Sequence, residues 1–252
     1  MKAYKIITAV VCIYVCIACR NSINPPLPLS KLENYRPMLV EGYQWNTILA
    51  AFPAGTMMYQ TSVFEIKGDS TINKQPYKKV WISYQEDKSN ALLYGLVRED
   101  IPQQKIYLYL NGKDVLLYDF TMRVGDTTKL YLCDFYHENT DYEYYLQLVS
   151  ITNKQDQEGK LYREFHYDIY MKFLNATKGS YMYTFEKIGR HATRERFGSS
   201  TQGLIPNNMS GLDGDCVCDV LCIYDETGNA IFTNDYAEAP YAGYCFFTEK
   251  VE

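Results

Sequence analysis

The sequence predicts an all-β fold: antiparallel hairpins and meanders forming a sandwich or partly open barrel, with little helix. Three observations carry that expectation. Apolar and polar residues alternate with a period of two, as in Val63-Phe64-Glu65-Ile66-Lys67, the pattern of a strand with one wet face. Tight-turn residues punctuate the alternating segments, most plainly Asn111-Gly112 between residues 106–110 and 115–120. Tyr is abundant, with 25 copies against 11 Phe and 2 Trp, and its ring packs on a half-buried pleated surface while its hydroxyl reaches water. The remaining composition, 47% hydrophobic and 22% charged over 252 residues, excludes a disordered, collagen-like or coiled-coil chain.

The first segment reads as an address. Lys2 and Lys5 precede an apolar run over residues 6–18, interrupted only by Thr8 and Tyr14. As a helix that run rises about 20 Å, short of a hydrocarbon core of roughly 30 Å. A basic start followed by a short apolar stretch is the layout of an export signal. Cys16-Ile17-Ala18-Cys19 resembles a bacterial lipobox, whose last Cys receives a diacylglycerol and becomes the new N-terminus. Ala18 supplies the small residue that cleavage requires, whereas Val15 is too large to make Cys16 the acceptor. Residues 1–18 are therefore expected to be a lipoprotein signal peptide. Cys19 is the expected lipidation site, acylated by chains such as palmitate, with the membrane as partner through that anchor. Residues 19–34, with Pro25, Pro26 and Pro28, read as a semi-rigid tether.

From about Tyr35 to Glu252 no linker interrupts the chain, and a single all-β domain is expected. Its elements follow in order. Residues 63–67 alternate, and residues 77–84 are rich in strand formers. Gly68-Asp69-Ser70-Thr71 and Gly125-Asp126-Thr127-Thr128 each follow such a strand and read as turns that restart the chain, with Gly freeing the backbone and Asp capping. Residues 106–110 and 115–120 form a hairpin about Asn111-Gly112. Residues 142–151 and 162–173 form another, joined by the polar segment 152–160. Residues 221–224 and 230–233 flank Asp225-Glu226-Thr227-Gly228-Asn229, a third hairpin. The Tyr residues are expected chiefly as wet-faced sheet, with Tyr142, Tyr144 and Tyr145 as an alternative aromatic platform for sugar rings.

Residues that could carry chemistry are few. With Cys19 lipidated, Cys133, Cys216, Cys218, Cys222 and Cys245 remain. Export favours disulfides, and Cys216, Cys218, Cys222 and Cys245 are the candidates, with three pairings open. Cys216 and Cys218 are too close to bridge each other easily. A metal reading of Asp213, Asp215 and Asp219 with the neighbouring sulfurs fails on spacing: it is not a zinc pattern, no His lies near, and a calcium loop would need a downstream Glu. No metal and no cofactor are expected. His137 with Glu138 and Asp141, and His166 with Asp168, could be drawn as acid–base pairs, but neither accompanies a nucleophile. Gly198-Ser199-Ser200-Thr201-Gln202-Gly203 is not a G-x-S-x-G elbow.

Several stretches resemble a group of little-characterised exported proteins of Bacteroides-like bacteria. They are Tyr35-Arg36-Pro37-Met38-Leu39-Val40-Glu41-Gly42 with Trp45-Asn46, Gly68-Asp69-Ser70-Thr71 with Tyr77-Lys78-Lys79-Val80, Leu96-Val97-Arg98-Glu99-Asp100, Leu116-Leu117-Tyr118-Asp119-Phe120 with Val124-Gly125-Asp126-Thr127, Phe197-Gly198-Ser199-Ser200-Thr201-Gln202-Gly203-Leu204, and Leu221-Cys222-Ile223-Tyr224. The resemblance implies a β-rich envelope lipoprotein without an established enzymatic activity, and it supplies no catalytic residue. It also implies O-glycosylation at Asp-Ser/Thr sites, a pattern that Ser70 and Thr127 fit. Arg20-Asn21-Ser22 lacks the acidic residues often found after the lipidated Cys of surface-displayed relatives, so a periplasmic or a surface-facing body both remain open at the outer membrane.

Loss of residues 1–18 removes two Lys and no acid, moving the net charge from −5 to −7. That sign, without Lys/Arg runs among aromatics, excludes nucleic acid as a partner. The expected function is a non-enzymatic envelope lipoprotein with a structural or ligand-binding role. The alternative is an accessory lipoprotein binding a glycan or another envelope protein, with an envelope hydrolase third.

Overall fold

The computed structural model describes residues 35–51, 58–130, 142–173, 186–200, 203–204, 216–233 and 243–247. The expected export signal, Cys19, the expected tether, Cys133, His137, Glu138, Asp141, Asp213 and Asp215 lie outside the described residues, as does the side chain of Tyr142. Thirteen strands occur among them, without a helix. They are β1 (Gln44–Ala51), β2 (Met58–Ile72), β3 (Gln75–Ser83), β4 (Leu92–Asp100), β5 (Lys105–Leu110) and β6 (Lys113–Asp119). After these come β7 (Thr127–Leu130), β8 (Tyr142–Gln155), β9 (Leu161–Phe173), β10 (Glu186–Arg194), β11 (Gly198–Ser199), β12 (Cys216–Tyr224) and β13 (Ala230–Thr233).

Turn chemistry sets the register. Asn111 and Gly112 have φ of +50° and +82° and join Leu110 directly to its partner Lys113, the two-residue hairpin that Asn-Gly favours. Asn73 and Lys74, with φ of +50° and +68°, make the same turn between Ile72 and Gln75, although Lys at its second position gives no such signal in sequence. The β8–β9 and β12–β13 loops share one design. Asp156 and Asp225 each begin a five-residue loop, accepting amide hydrogens two and four residues on, and a positive-φ Gly stands fourth.

One expected turn is corrected. Gly68 to Thr71 lies inside β2, where the register slips between Ile66 and Asp69, with Gly68 at φ +83°. This is a β-bulge. The strand continues because the Gly68 amide donates to Glu41 at 2.7 Å and Lys78 pairs with Asp69 at 2.7 Å. At Gly125-Asp126 the chain does turn, with the Asp126 carboxylate accepting the Arg123 amide at 2.8 Å before β7 starts at Thr127.

The strands form two antiparallel sheets. The larger has the order β13-β12-β1-β2-β3-β4-β5-β6 and curls into a half-barrel; the smaller has the order β11-β10-β9-β8-β7. Their facing sides make one core, with Phe64, Val80, Val97, Ile106 and Phe120 on one sheet and Leu146, Leu148 and Phe165 on the other. The Phe120 and Phe165 rings meet at 5.6 Å between centroids. The fold is thus the all-β sandwich or part-barrel that the alternation predicts, because period two puts one side of each sheet on that core.

Four Tyr depart from the wet-faced expectation: Tyr43, Tyr77, Tyr118 and Tyr167 are at most 5% exposed. Each keeps a polar partner, as a buried hydroxyl must. Tyr118 is the clearest case. Its hydroxyl accepts the Ser199 amide at 3.1 Å and lies 3.0 Å from the carbonyls of Gly203 and Leu204. The indole of Trp45, itself fully buried, donates to the Phe197 carbonyl at 2.9 Å. Phe197, Ser199 and Leu204 are therefore held as a plug inside the core, and Ser199, 2% exposed, is structural.

The C-terminal segment straps the other side of the half-barrel. Cys245 is disulfide-bonded to Cys222 on β12. The Cys245 carbonyl accepts from Asn46 on β1 at 2.7 Å, and Phe247 exchanges two hydrogen bonds with the Thr61 hydroxyl on β2. Phe247 packs on Tyr59 over a small second core of Ile48 and Leu221. The strap satisfies Asn46 and Thr61, which are 3% and 2% exposed. Closing the chain between residues 23 apart constrains the unfolded state by about 3 kcal/mol. Cys218 is half-buried on β12, and the side chain of Cys216 lies outside the described residues.

Candidate functional site

Two solvent-facing sheet surfaces carry the polar side chains. On the outer side of β3 to β6, register places Arg98 beside Tyr107. The Arg98 guanidinium sits 4.0 Å above the Tyr107 ring and binds the Asp114 carboxylate at 2.6 Å. The Tyr77 hydroxyl donates to the same carboxylate at 2.8 Å, and burial together with this acid raises its pKa. The Tyr77 and Tyr109 rings meet edge-on. Trp45 is buried and takes no part in an exposed aromatic surface, while Trp81 donates to the Lys67 carbonyl.

The second surface is the outer side of the smaller sheet, where β8, β9 and β10 enclose a depression of about 630 Å³. Pairing sets the outer residues of these strands in rows: Gln147, Asp168 and Arg190, then Ser150, His166 and Ala192, then Thr152, Glu164 and Arg194. The depression itself is lined by Asp168, Arg190, Ser150, His166 and Ala192 of these, together with Lys187. Asp168 lies 2.6 Å from Lys187 and 3.9 Å from Arg190. Glu164 binds Arg194 at 2.6 Å, with Lys154 4.0 Å away and the His166 ring at 3.2 Å. Further along the same side Glu143 binds Lys129, which together with the Tyr145 hydroxyl holds its carboxyl below the usual range. Lys172 stands opposite Glu143. Among the described residues of this side three carboxylates therefore share six cations, a positive excess among them on a chain of net charge −5.

Among the sequence candidates, the structure brings His166 and Asp168 onto one side, as residues two apart on a strand must be. It separates Tyr144 from Tyr145, since adjacent strand residues face opposite ways, so the pair cannot form a common platform. Thr127 is exposed at the start of the edge strand β7, and Ser70 is half-buried where β2 extends beyond β1. Cys222 is in a disulfide and cannot serve as a metal ligand. The described residues contain no group of three or more His, Cys, Asp or Glu that could hold a metal ion. Sequence reasoning did not single out Lys187, Arg190 and Arg194. Their common side is hidden by a register slip between Lys187 and Gly189, which breaks the two-residue period.

His191, half-buried among the residues lining the depression, lies beside Tyr167 with ring centroids 6.4 Å apart. Burial pulls its pKa down from 6.5 to about 4. Between those values the unfolded chain binds a proton that the folded chain refuses, so stability falls as pH drops through this window. Lowering the pH from about 7 to about 5 should cost about 2 kcal/mol through this group. Urea titrations at both pH values should show that loss in the wild type and its disappearance in His191→Gln; an unchanged loss in the variant would assign it elsewhere.

Compared with protein-family models, curated proteins and solved structures, the chain matches none.

Proposed function

We propose that the chain is a non-catalytic, ligand-binding lipoprotein of the cell envelope, held at the outer membrane through Cys19 on the Pro-rich tether. The observation that carries the binding role is the outer side of the smaller sheet, an ordered depression whose acids are already engaged by cations. A hydrolase needs an acid or base placed to exchange a proton with its substrate. Here Glu164 is held by Arg194 and Asp168 by Lys187, each at 2.6 Å, an arrangement that suits contact better than proton transfer. The lipobox-like residues 16–19 and the resemblance to exported lipoproteins support the anchor. A protein partner is the alternative ligand, favoured by Leu92 and Leu93 at the start of β4, which are 64% and 52% exposed.

In its native host, Cys19→Ala should move the protein from the membrane to the soluble fraction and abolish palmitate labelling. Persistence in the membrane fraction would refute the anchor. A polysaccharide array probed with the full chain tests the binding role, which fails if no polysaccharide and no envelope protein is retained.

A further inference from the structure

We propose that the depression on β8, β9 and β10 binds a polyanionic polysaccharide, a polymer of saccharide units bearing carboxylate or sulfate groups. This rests on the ligand-binding reading above and names its ligand class. The first support is charge. Asp168 is shared by Lys187 and Arg190, and Glu164 by Arg194 and Lys154, so each acid leaves about one positive charge unmatched. Arg190 is the outermost of these, with 85% of its side chain exposed. Clustered cations on a chain of opposite net charge focus an anion onto that place.

The second support is shape. Along the strands the cations run from Lys172, through the row that holds both Lys129 and Lys187, to Arg190 and then Arg194 and Lys154, with Lys187 and Arg190 lining the depression and the others flanking it. They form a strip whose alternate residues repeat about every 7 Å along a strand. A strip fits a repeating polymer better than a single small ion. Beside these cations the depression is lined by the hydrogen-bonding groups of Ser150 and His166, which suit sugar hydroxyls. A volume of about 630 Å³ falls within the roughly 300–1,000 Å³ of small-ligand sites. A bilayer surface fits less well: the depression is concave, and among the described residues lining it the large hydrophobic side chains are Val149, 41% exposed, and the buried Tyr167, whereas interfacial binding draws on a broad apolar face.

The test is affinity electrophoresis of the full chain through gels containing polygalacturonate, dextran sulfate or neutral dextran. Both polyanions should retard the protein, neutral dextran should not, and salt should weaken the retardation. Lys187→Gln with Arg190→Gln should lower affinity about tenfold. Asp168→Asn removes the acid that both cations share and should raise affinity, a gain that a folding defect cannot mimic. The proposal is overturned if neither polyanion retards the wild type or if the double variant binds as well as the wild type. It is also overturned by tighter binding to phosphatidylglycerol vesicles or to DNA than to either polyanion. Retardation by neutral dextran alone would overturn the ligand class and leave the binding role standing, whereas silence from every polymer, together with a silent array, would overturn both.

Discussion

Gly198→Ala should cost about 2–5 kcal/mol, a large share of the stability of an ordinary domain. Gly198 has φ +79°, and a Cβ built there would lie 2.5 Å from the Gly203 carbonyl oxygen and 3.3 Å from the Tyr118 hydroxyl. The left-handed backbone alone penalises a side chain by about 1–2 kcal/mol. The carbonyl belongs to backbone and cannot swing aside. It already accepts the Ser199 amide at 2.8 Å and lies 3.0 Å from the Tyr118 hydroxyl. Moving it would loosen the plug between Trp45 and Tyr118, and such overpacking adds about 1–3 kcal/mol. Gly112→Ala is the control: its φ is +82°, but nothing lies within 4 Å of the added carbon, so about 1 kcal/mol is expected. Urea unfolding of both variants decides the matter, and equal losses would show that the plug contributes nothing beyond backbone conformation.

Asp156→Ala should cost a similar about 3–5 kcal/mol, for an electrostatic reason. The side chains of Asp156 and Arg196 are 2% and 9% exposed and meet at 2.8 Å. The other carboxylate oxygen accepts the amides of Glu158 and Lys160 at 3.0 and 2.8 Å. Removing the acid strands a buried guanidinium whose remaining close partner is the Tyr43 hydroxyl at 3.0 Å, and it releases two loop amides as well. Glu158→Ala, at 4.0 Å from Arg196 and 40% exposed, should cost under about 1 kcal/mol. The double variant Asp156→Asn with Arg196→Met should lose less than the sum of its single changes. Strict additivity would mean that the pair is not coupled.

Much of the fold was legible in the sequence because its signals are local. Period-two alternation placed β2, β3, β8 and β9, and Asn111-Gly112 and Asp225 to Asn229 placed two hairpins to within a few residues. What stayed hidden depends on partners far along the chain. Gly68 looks like a turn until Lys78 and Glu41 hold its strand straight. Ser199 looks like a small polar loop residue until Tyr118 and Trp45 enclose it. The cationic strip of the candidate site is less legible still, since it joins β10 to β8 and β9 across a slipped register. Neither the spacing of Lys187, Arg190 and Arg194 nor their number signals a common surface. The abundance of Tyr misled in part, because the sequence does not separate a Tyr at the water's edge from one such as Tyr118 acting as a buried strut.

The place of β1 has a consequence for how the protein is made. β1 lies between β2 and β12, with Gln44 paired both to Glu65 and to Tyr224. Its second neighbour, β12, therefore emerges only after β2 to β11 have been made. Until then β1 presents an unpaired edge, a template for the wrong strand, and so non-local a pairing is slow to find. The half-barrel can close only after β12 has been made, and the Cys222–Cys245 bond can lock it only once Cys245 has followed. Folding of this body thus completes only after β12 has emerged and cannot proceed strand by strand in the order of synthesis.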